Sequence, residues 1–332
     1  MTLLNADPSV PRPSAAGSDP TPGMRPGQAP APRAADAAQP AGQLVVALAQ
    51  LAPRLADVDH NLDRHLALLA EATQRGAQLV VFPELSLTGY FLKDLVPDVA
   101  VRLDSAPLRA LAAACTEVDA LVGLVLESED ARFYNAAVYL SAGRIQHVHH
   151  KVYLPTYGLF EEGRYLAQGD RFRAFAPPAG AAPRRPWRAG ILVCEDMWHP
   201  SAAAALARDG VEVFLCPSSS PARGVHRGPQ LGSEQSYAAM TRTYAELFTA
   251  YVVYCNRVGY EDGVAFWGGS RVVGPDGWVV GGVAGSGEEL ALRTLDLASI
   301  RRARVEQPLL RDERHDVSDA ESDRLRRRRT LD

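Results

Sequence analysis

The sequence has few cysteines, no excess of positive charge and no long apolar run. Four cysteines in 332 residues, Cys115, Cys194, Cys216 and Cys255, are too few and too scattered for a disulfide framework or a CxxC metal site. They point to a reducing, cytoplasmic compartment. A net charge of -4 and a pI near 6.1 argue against a protein whose main work is coating nucleic acid. No apolar run reaches the roughly 18–20 residues of a membrane span. The first ten residues, Met1 to Val10, lack the basic-then-apolar order of a secretory signal. With 47% hydrophobic and 22% charged residues the composition is globular, which excludes a wholly disordered, collagen-like or fibrous chain.

Proline is plentiful but unevenly spread. Nine of the 24 prolines fall in the first 40 residues, among Ala, Gly, Ser and Asp. Such a stretch cannot bury enough apolar surface to offset chain entropy. Residues 1–42 therefore read as a disordered tail, residues 43–310 as one folded unit and residues 311–332 as a charged C-terminal tail. That tail ends in Arg324-Leu325-Arg326-Arg327-Arg328-Arg329, but Asp312, Glu313, Asp316, Asp319, Glu321 and Asp323 balance it. It reads as a solvated end rather than a nucleic-acid or membrane contact.

Within 43–310, apolar β-prone runs predict strands at Leu44–Gln50, Ala77–Glu84, Ala120–Leu126, Ala189–Cys194, Val211–Cys216, Tyr251–Asn256 and Ser270–Val273. Tyr134–Leu140 and Arg144–His150 flank a turn and predict a hairpin. Helical spacing predicts helices over Asp59–Gly76, Leu108–Cys115, His199–Gly210 and Glu234–Thr249. Strands and helices that alternate in this way make an α/β fold, a sheet with helices against it or two such layers.

Three ionisable residues stand directly after a buried strand or hairpin: Glu84, Lys151 and Cys194. Strand ends in α/β sheets are where ligands usually bind. A carboxylate, an ammonium and a thiol can carry out acyl transfer together. The thiol becomes an acyl-bearing nucleophile once a base takes its proton. The carboxylate is that base and later delivers a proton to the leaving amine. The ammonium meets the oxyanion of the tetrahedral intermediate. Taken alone, a cysteine ending a strand is an ordinary buried apolar residue.

The surrounding segments resemble the nitrilase (carbon–nitrogen hydrolase) superfamily. They are Phe82-Pro83-Glu84-Leu85-Ser86-Leu87-Thr88-Gly89-Tyr90, Lys151-Val152-Tyr153-Leu154-Pro155 and Cys194-Glu195-Asp196-Met197-Trp198, in the family's order. The resemblance implies a four-layer α-β-β-α sandwich of the nitrilase type that forms a homodimer or higher homo-oligomer. It carries the base to Glu84, the oxyanion partner to Lys151 and the nucleophile to Cys194. It also implies an oxyanion contact from the N–H of Glu195 and a second active-site glutamate. Glu162, before Gly163-Arg164-Tyr165, matches that glutamate better than Glu161.

Ser86-Leu87-Thr88-Gly89-Tyr90 with Lys93-Asp94-Leu95, and Leu154-Pro155-Thr156-Tyr157-Gly158, are similar to the glutaminase domain of glutamine-dependent NAD synthetases. The similarity carries glutamine contacts to Tyr157 and to Ser220 in Ser218-Ser219-Ser220-Pro221. The family's carboxylate-binding arginine does not align cleanly. His226 stands at its offset, with Arg223 and Arg227 beside it, and Arg227 is taken as the candidate. The synthetase's Ser-Gly-Gly-x-Asp-Ser phosphate loop has no counterpart in the chain, so NAD synthesis by this chain alone is not expected.

The reading is thus a cytoplasmic amidase, free of cofactor and metal, that acts on a small carboxamide. The alternative is a glutaminase subunit that passes ammonia to a separate synthetase. A binding protein that kept the fold is the non-enzymatic alternative, and intact Glu84, Lys151 and Cys194 speak against it. His147, His149 and His150 lack further ligands at zinc spacing. Trp187, Trp198, Trp267 and Trp278 read as core or pocket walls.

Overall fold

The computed structural model describes residues 42–177, 187–224, 230–283 and 285–329. The proline-rich head, Gly42 aside, lies outside the described residues, and so do His226 and Arg227.

Thirteen strands are described. They are β1 (Gln43–Gln50), β2 (Leu79–Val81), β3 (Asp119–Glu127), β4 (Phe133–Ser141), β5 (Arg144–His150), β6 (Ala189–Ile191), β7 (Val213–Ser218), β8 (Tyr251–Asn256), β9 (Val258–Glu261), β10 (Val264–Trp267), β11 (Arg271–Val273), β12 (Val279–Gly282) and β13 (Glu289–Asp296). Two sheets hold eleven of them, in the orders β13-β1-β2-β3-β4-β5 and β12-β11-β8-β7-β6; β9 and β10 form a separate hairpin.

Each sheet has a parallel set, β1-β2-β3 in the first and β6-β7-β8 in the second. Parallel neighbours need a crossover, and helices supply it. They are α1 (Val58–Gln74), α2 (Ala106–Ala114), α3 (Pro200–Arg208) and α4 (Gly232–Leu247), with α5 (Leu297–Glu306) and α6 (His315–Arg329) after β13. Helix α1 is capped by the Asp57 side chain, which accepts the His60 N–H. Gly76 follows it with a left-handed φ of 78°.

Strand alternation builds the layers. On the first sheet Val46, Leu48, Leu79, Val81, Leu121 and Tyr139 share one core with the second sheet's Ile191, Phe214 and Val252. The intervening residues Ala47, Val80, Ala120, Val122 and Val138 pack instead with Leu69 of α1 and with Leu108 and Leu111 of α2. Period-two alternation thus sends one face of the sheet to helices and the other to a second sheet. Ala203 and Leu206 of α3 and Tyr244 and Ala245 of α4 join the second sheet's core. The expected four-layer α-β-β-α sandwich is the observed architecture.

Several expectations shift in detail. The predicted strand through Glu84 stops at Val81, and the one through Cys194 stops at Ile191. Cys194 instead opens a tight 3₁₀ turn, Cys194–Trp198, with a left-handed φ of 45°. The Asp196 carboxylate takes the Val193 N–H at 3.0 Å, which folds the chain out of the strand. Trp278 is neither core nor pocket wall: it is 70% exposed, with the Arg242 guanidinium over its ring. The charged segment after residue 311 includes an exposed helix, α6, joined to α3 by a two-pronged ion pair between Arg208 and Asp319. No helix among the described residues is long and apolar enough to cross a membrane.

Candidate active site

The carboxyl ends of four strands converge on one pocket. Glu84 follows β2, Lys151 follows β5, Cys194 follows β6 and Ser219 follows β7. Glu84 and Lys151 therefore come from the first sheet, Cys194 and Ser219 from the second.

The centre is a buried charge cluster. Lys151 Nζ donates to Glu84 Oε1 at 2.7 Å and to Glu162 Oε1 at 2.6 Å, with almost no side-chain exposure on any of the three. Glu84 is held on all sides. Its Oε1 also accepts from Asn135 Nδ2 at 2.8 Å, and its Oε2 accepts the Ser219 N–H at 2.7 Å. The Ser219 hydroxyl donates back to the Glu84 carbonyl at 2.8 Å. Glu162 is fixed by the Tyr90 hydroxyl, which donates to its carboxylate. Glu161, next to it, is exposed.

Electrostatics follow from this packing. Burial alone would lower the Lys151 pKa, but Glu162 and Glu84 overcome it and hold the ammonium well above its ordinary value. Burial pushes Glu162 up to about 7; Lys151 opposes the rise and Glu84 adds to it. The Cys194 thiol is driven well above its usual value by burial and then by the Glu84 charge, against the pull of Lys151. A thiol so placed rests as S–H beside an acceptor carboxylate and a fixed cation. That is a set of groups able to move one proton and to hold one oxyanion.

Asp196 joins the two sheets at this point. Its Oδ1 accepts the N–H groups of Val152 and Tyr153, next to Lys151; its Oδ2 accepts the Val193 N–H and meets His149 Nε2 at 3.0 Å. His149 is thereby committed to the scaffold. Among the described residues no group of three or more His, Cys, Asp or Glu could hold a metal ion.

Cys194 opens onto a cavity of about 360 Å³. Tyr157, Phe160, Trp198, Ser220, Arg223 and Tyr237 are among its walls. The Tyr157 hydroxyl donates to the Glu195 carboxylate at 2.9 Å, so the side chain of Glu195, and not only its N–H, belongs to the pocket. Burial raises the Glu195 pKa. Ser220 is turned to the scaffold: its N–H meets Asn256 and its hydroxyl accepts from Trp267. Of the three basic candidates near it, Arg223 lines the pocket, over the Phe160 ring. A larger open groove of about 710 Å³ over β10, β11 and β12 does not include the thiol.

The residues read from the sequence thus assemble as Glu84, Lys151, Glu162 and Cys194, with Tyr157, Glu195 and Ser220 on the pocket. Tyr90, Asn135, Asp196, Ser219 and Tyr237 were not foreseen. Tyr90 and Asp196 lie inside the quoted motifs, so motif membership was the available signal for them; Asn135, Ser219 and Tyr237 come into reach only through the fold.

The carbon–nitrogen hydrolase family profile matches residues 45–305. The chain belongs to the carbon–nitrogen hydrolase family. This hydrolase is 33% identical over 293 residues to the glutamine-dependent NAD(+) synthetase of Thermotoga maritima, covering 86% of this chain and 48% of that one. It superposes on the glutamine-dependent NAD+ synthetase of Acinetobacter baumannii with a TM-score of 0.67 at 28% identity, covering 78% of this chain and 46% of the other. The carbon–nitrogen hydrolase therefore spans about half the length of the curated relatives it matches. It also matches the amidase of Nesterenkonia sp. AN1 with a TM-score of 0.68 at 25% identity, covering 85% and 98%. In a glutamate-to-glutamine variant of that amidase the acetamide moiety of fluoroacetamide adds covalently at the active-site cysteine.

Proposed function

We propose that this hydrolase cleaves a small carboxamide to carboxylate and ammonia or amine through a thioester on Cys194. The supporting observation is the buried Glu84–Lys151–Glu162 cluster beside a thiol that opens onto a pocket. Glu84 takes the thiol proton as sulfur attacks the amide carbon. The carbonyl electrons move to oxygen, where Lys151 and the Glu195 N–H meet the charge. As the C–N bond breaks, Glu84 passes its proton to the leaving nitrogen. Glu84 then takes a proton from water, hydroxide attacks the thioester and the thiolate leaves with that proton. Glu162 holds Lys151 from the other side. The enzyme so read is cytoplasmic, uses no cofactor and works as a homodimer or higher homo-oligomer.

The test is ammonia release from a panel of primary amides by wild type and Cys194→Ala. Activity should disappear in the variant, and equal activity in the two would overturn the proposal.

A second reading, a glutaminase subunit that supplies a separate synthetase, is favoured by the opposite charges in the pocket. Glu195 and Arg223 offer a carboxylate and a guanidinium, which suit the α-ammonium and α-carboxylate of glutamine. The match to synthetases points the same way. Including glutamine and acetamide in the panel separates the two readings. Glutamine preference that falls in Arg223→Ala supports the second; indifference to Arg223 supports the first.

A further inference from the structure

Helix α4 reaches the nucleophile. Tyr237, on its second turn, is 2% exposed, and its hydroxyl lies 3.1 Å from Cys194 Sγ. The ring is fixed by Tyr254 at 4.9 Å and by Trp198, edge-on, at 5.8 Å. The same hydroxyl oxygen accepts the Trp198 indole N–H at 3.2 Å. An indole nitrogen can only donate, so one lone pair of the phenol is taken and its own proton is free for another acceptor.

We propose that Tyr237 is a further catalytic residue, a neutral phenol that donates a hydrogen bond to the Cys194 sulfur whenever that sulfur carries negative charge. The proposal rests on the reading of Cys194 as nucleophile. In the resting thiol either atom can be the donor. Once Glu84 holds the proton, sulfur only accepts, and Tyr237 becomes the donor. Hydrogen bonds to charged acceptors are the stronger kind, and the Trp198 bond polarises the phenol further.

The site needs such a donor. The sulfur is buried and shares the cluster with Glu84, and a second buried phenol, Tyr254, stands near it. Glu195 and Tyr157 line the same pocket, and Lys151 is the cation of the cluster. Burial and the neighbouring sulfur hold the Tyr237 proton well above its ordinary range, so the phenol stays protonated. It therefore acts twice per turnover without titrating. It steadies the thiolate at attack, while the proton sits on Glu84. It steadies the thiolate again when the thioester C–S bond breaks, until Glu84 returns the proton.

The test is the pH profile of Cys194 alkylation by iodoacetamide, read by peptide mass spectrometry. Wild type, Tyr237→Phe and Trp198→Phe are compared, with ammonia release measured in parallel. Tyr237→Phe keeps the ring and its packing. It should move the alkylation midpoint to higher pH and slow Cys194 alkylation at pH 7.5 by about tenfold, the size of one lost hydrogen bond to a charged group. Trp198→Phe should move the midpoint the same way by less. An unchanged midpoint in folded Tyr237→Phe overturns the proposal. Should that variant fail to fold, the half-exposed Trp198→Phe decides, and an unchanged midpoint there overturns it too. Failure of the nucleophile reading looks different: wild-type Cys194 would alkylate no faster than Cys115, Cys216 and Cys255, and Cys194→Ala would still release ammonia.

Discussion

Glu162 sets the charge balance of the centre. Two carboxylates face one ammonium in a buried site, so both cannot be ionised without cost. Glu162 carries that cost, with its pKa pushed up to about 7. A carboxyl raised in the folded state binds its proton more tightly there than in the unfolded chain. Its effect on stability is therefore most favourable below the unfolded value, declines as pH rises toward 7, and is constant above. Glu162→Gln mimics the protonated acid and should remove this decline. Thermal melts at pH 5 and pH 8 should show a smaller drop in Tm for Glu162→Gln than for wild type. An equal drop in both would mean that Glu162 does not hold the proton. At this scale the sequence was informative where chemistry was local. Glu84 and Cys194 follow apolar runs and Lys151 follows the hairpin, and an ionisable group at such a place stands out. Asn135 and Ser219 do not stand out, because a polar residue inside or after a strand is common. Their roles depend on a carboxylate that reaches them across space. The arginine is an intermediate case: Arg223 lines the pocket, whereas His226, at the expected offset, and Arg227, the candidate taken beside it, lie outside the described residues.

Elements place these side chains by close approach of backbone. Gly123 in β3 is the clearest instance. A Cβ there would sit 2.4 Å from the Pro83 carbonyl oxygen and from the Leu85 nitrogen, the two sides of Glu84. Only glycine lets the Glu84 segment lie against the strand. Gly123→Ala should displace Glu84 and cut kcat by about 100-fold, as a shift of about 1 Å in a catalytic group can. Amide turnover measured beside circular dichroism checks this; retained kcat in a folded variant would show that the segment yields elsewhere. Helix and strand positions were largely readable, because periodicity is a local property. The element ends were not. Ile191 ends β6 because Asp196 captures the Val193 amide just beyond it, and no propensity marks that capture. Strand β13 is not legible in the sequence because Glu289–Asp296 lacks clean alternation; β1 beside it supplies the order.

On the scale of the whole molecule the site is divided between two sheets, and their shared core sets the distance from base to sulfur. Leu48 is fully buried in that core, beside Val81 and Ile191. Leu48→Ala should cost about 2–5 kcal/mol in urea unfolding, the usual range for a buried leucine truncation. It should also lower amide turnover at temperatures below the melting transition, because the sheets would no longer hold one separation. Loss of stability with turnover unchanged up to the transition would show that the site is held by its own hydrogen bonds alone. The two-sheet sandwich was open to sequence reading as a choice between one sheet and two; pattern alone did not decide it, and the family resemblance did.

The pairing of β1 with β13 runs register for register from Gln43 opposite Asp296 to Gln50 opposite Glu289. In order of synthesis, Glu84, Lys151 and Cys194 all leave the ribosome well before residue 289. Until β13 follows, β1 is an open edge that any other strand could join. A nascent chain can thus own every reactive side chain while its first sheet is unfinished. Completion of the sheet therefore falls late in translation. The last strand acts as a clasp: it closes the edge of the sheet from which Glu84 and Lys151 extend.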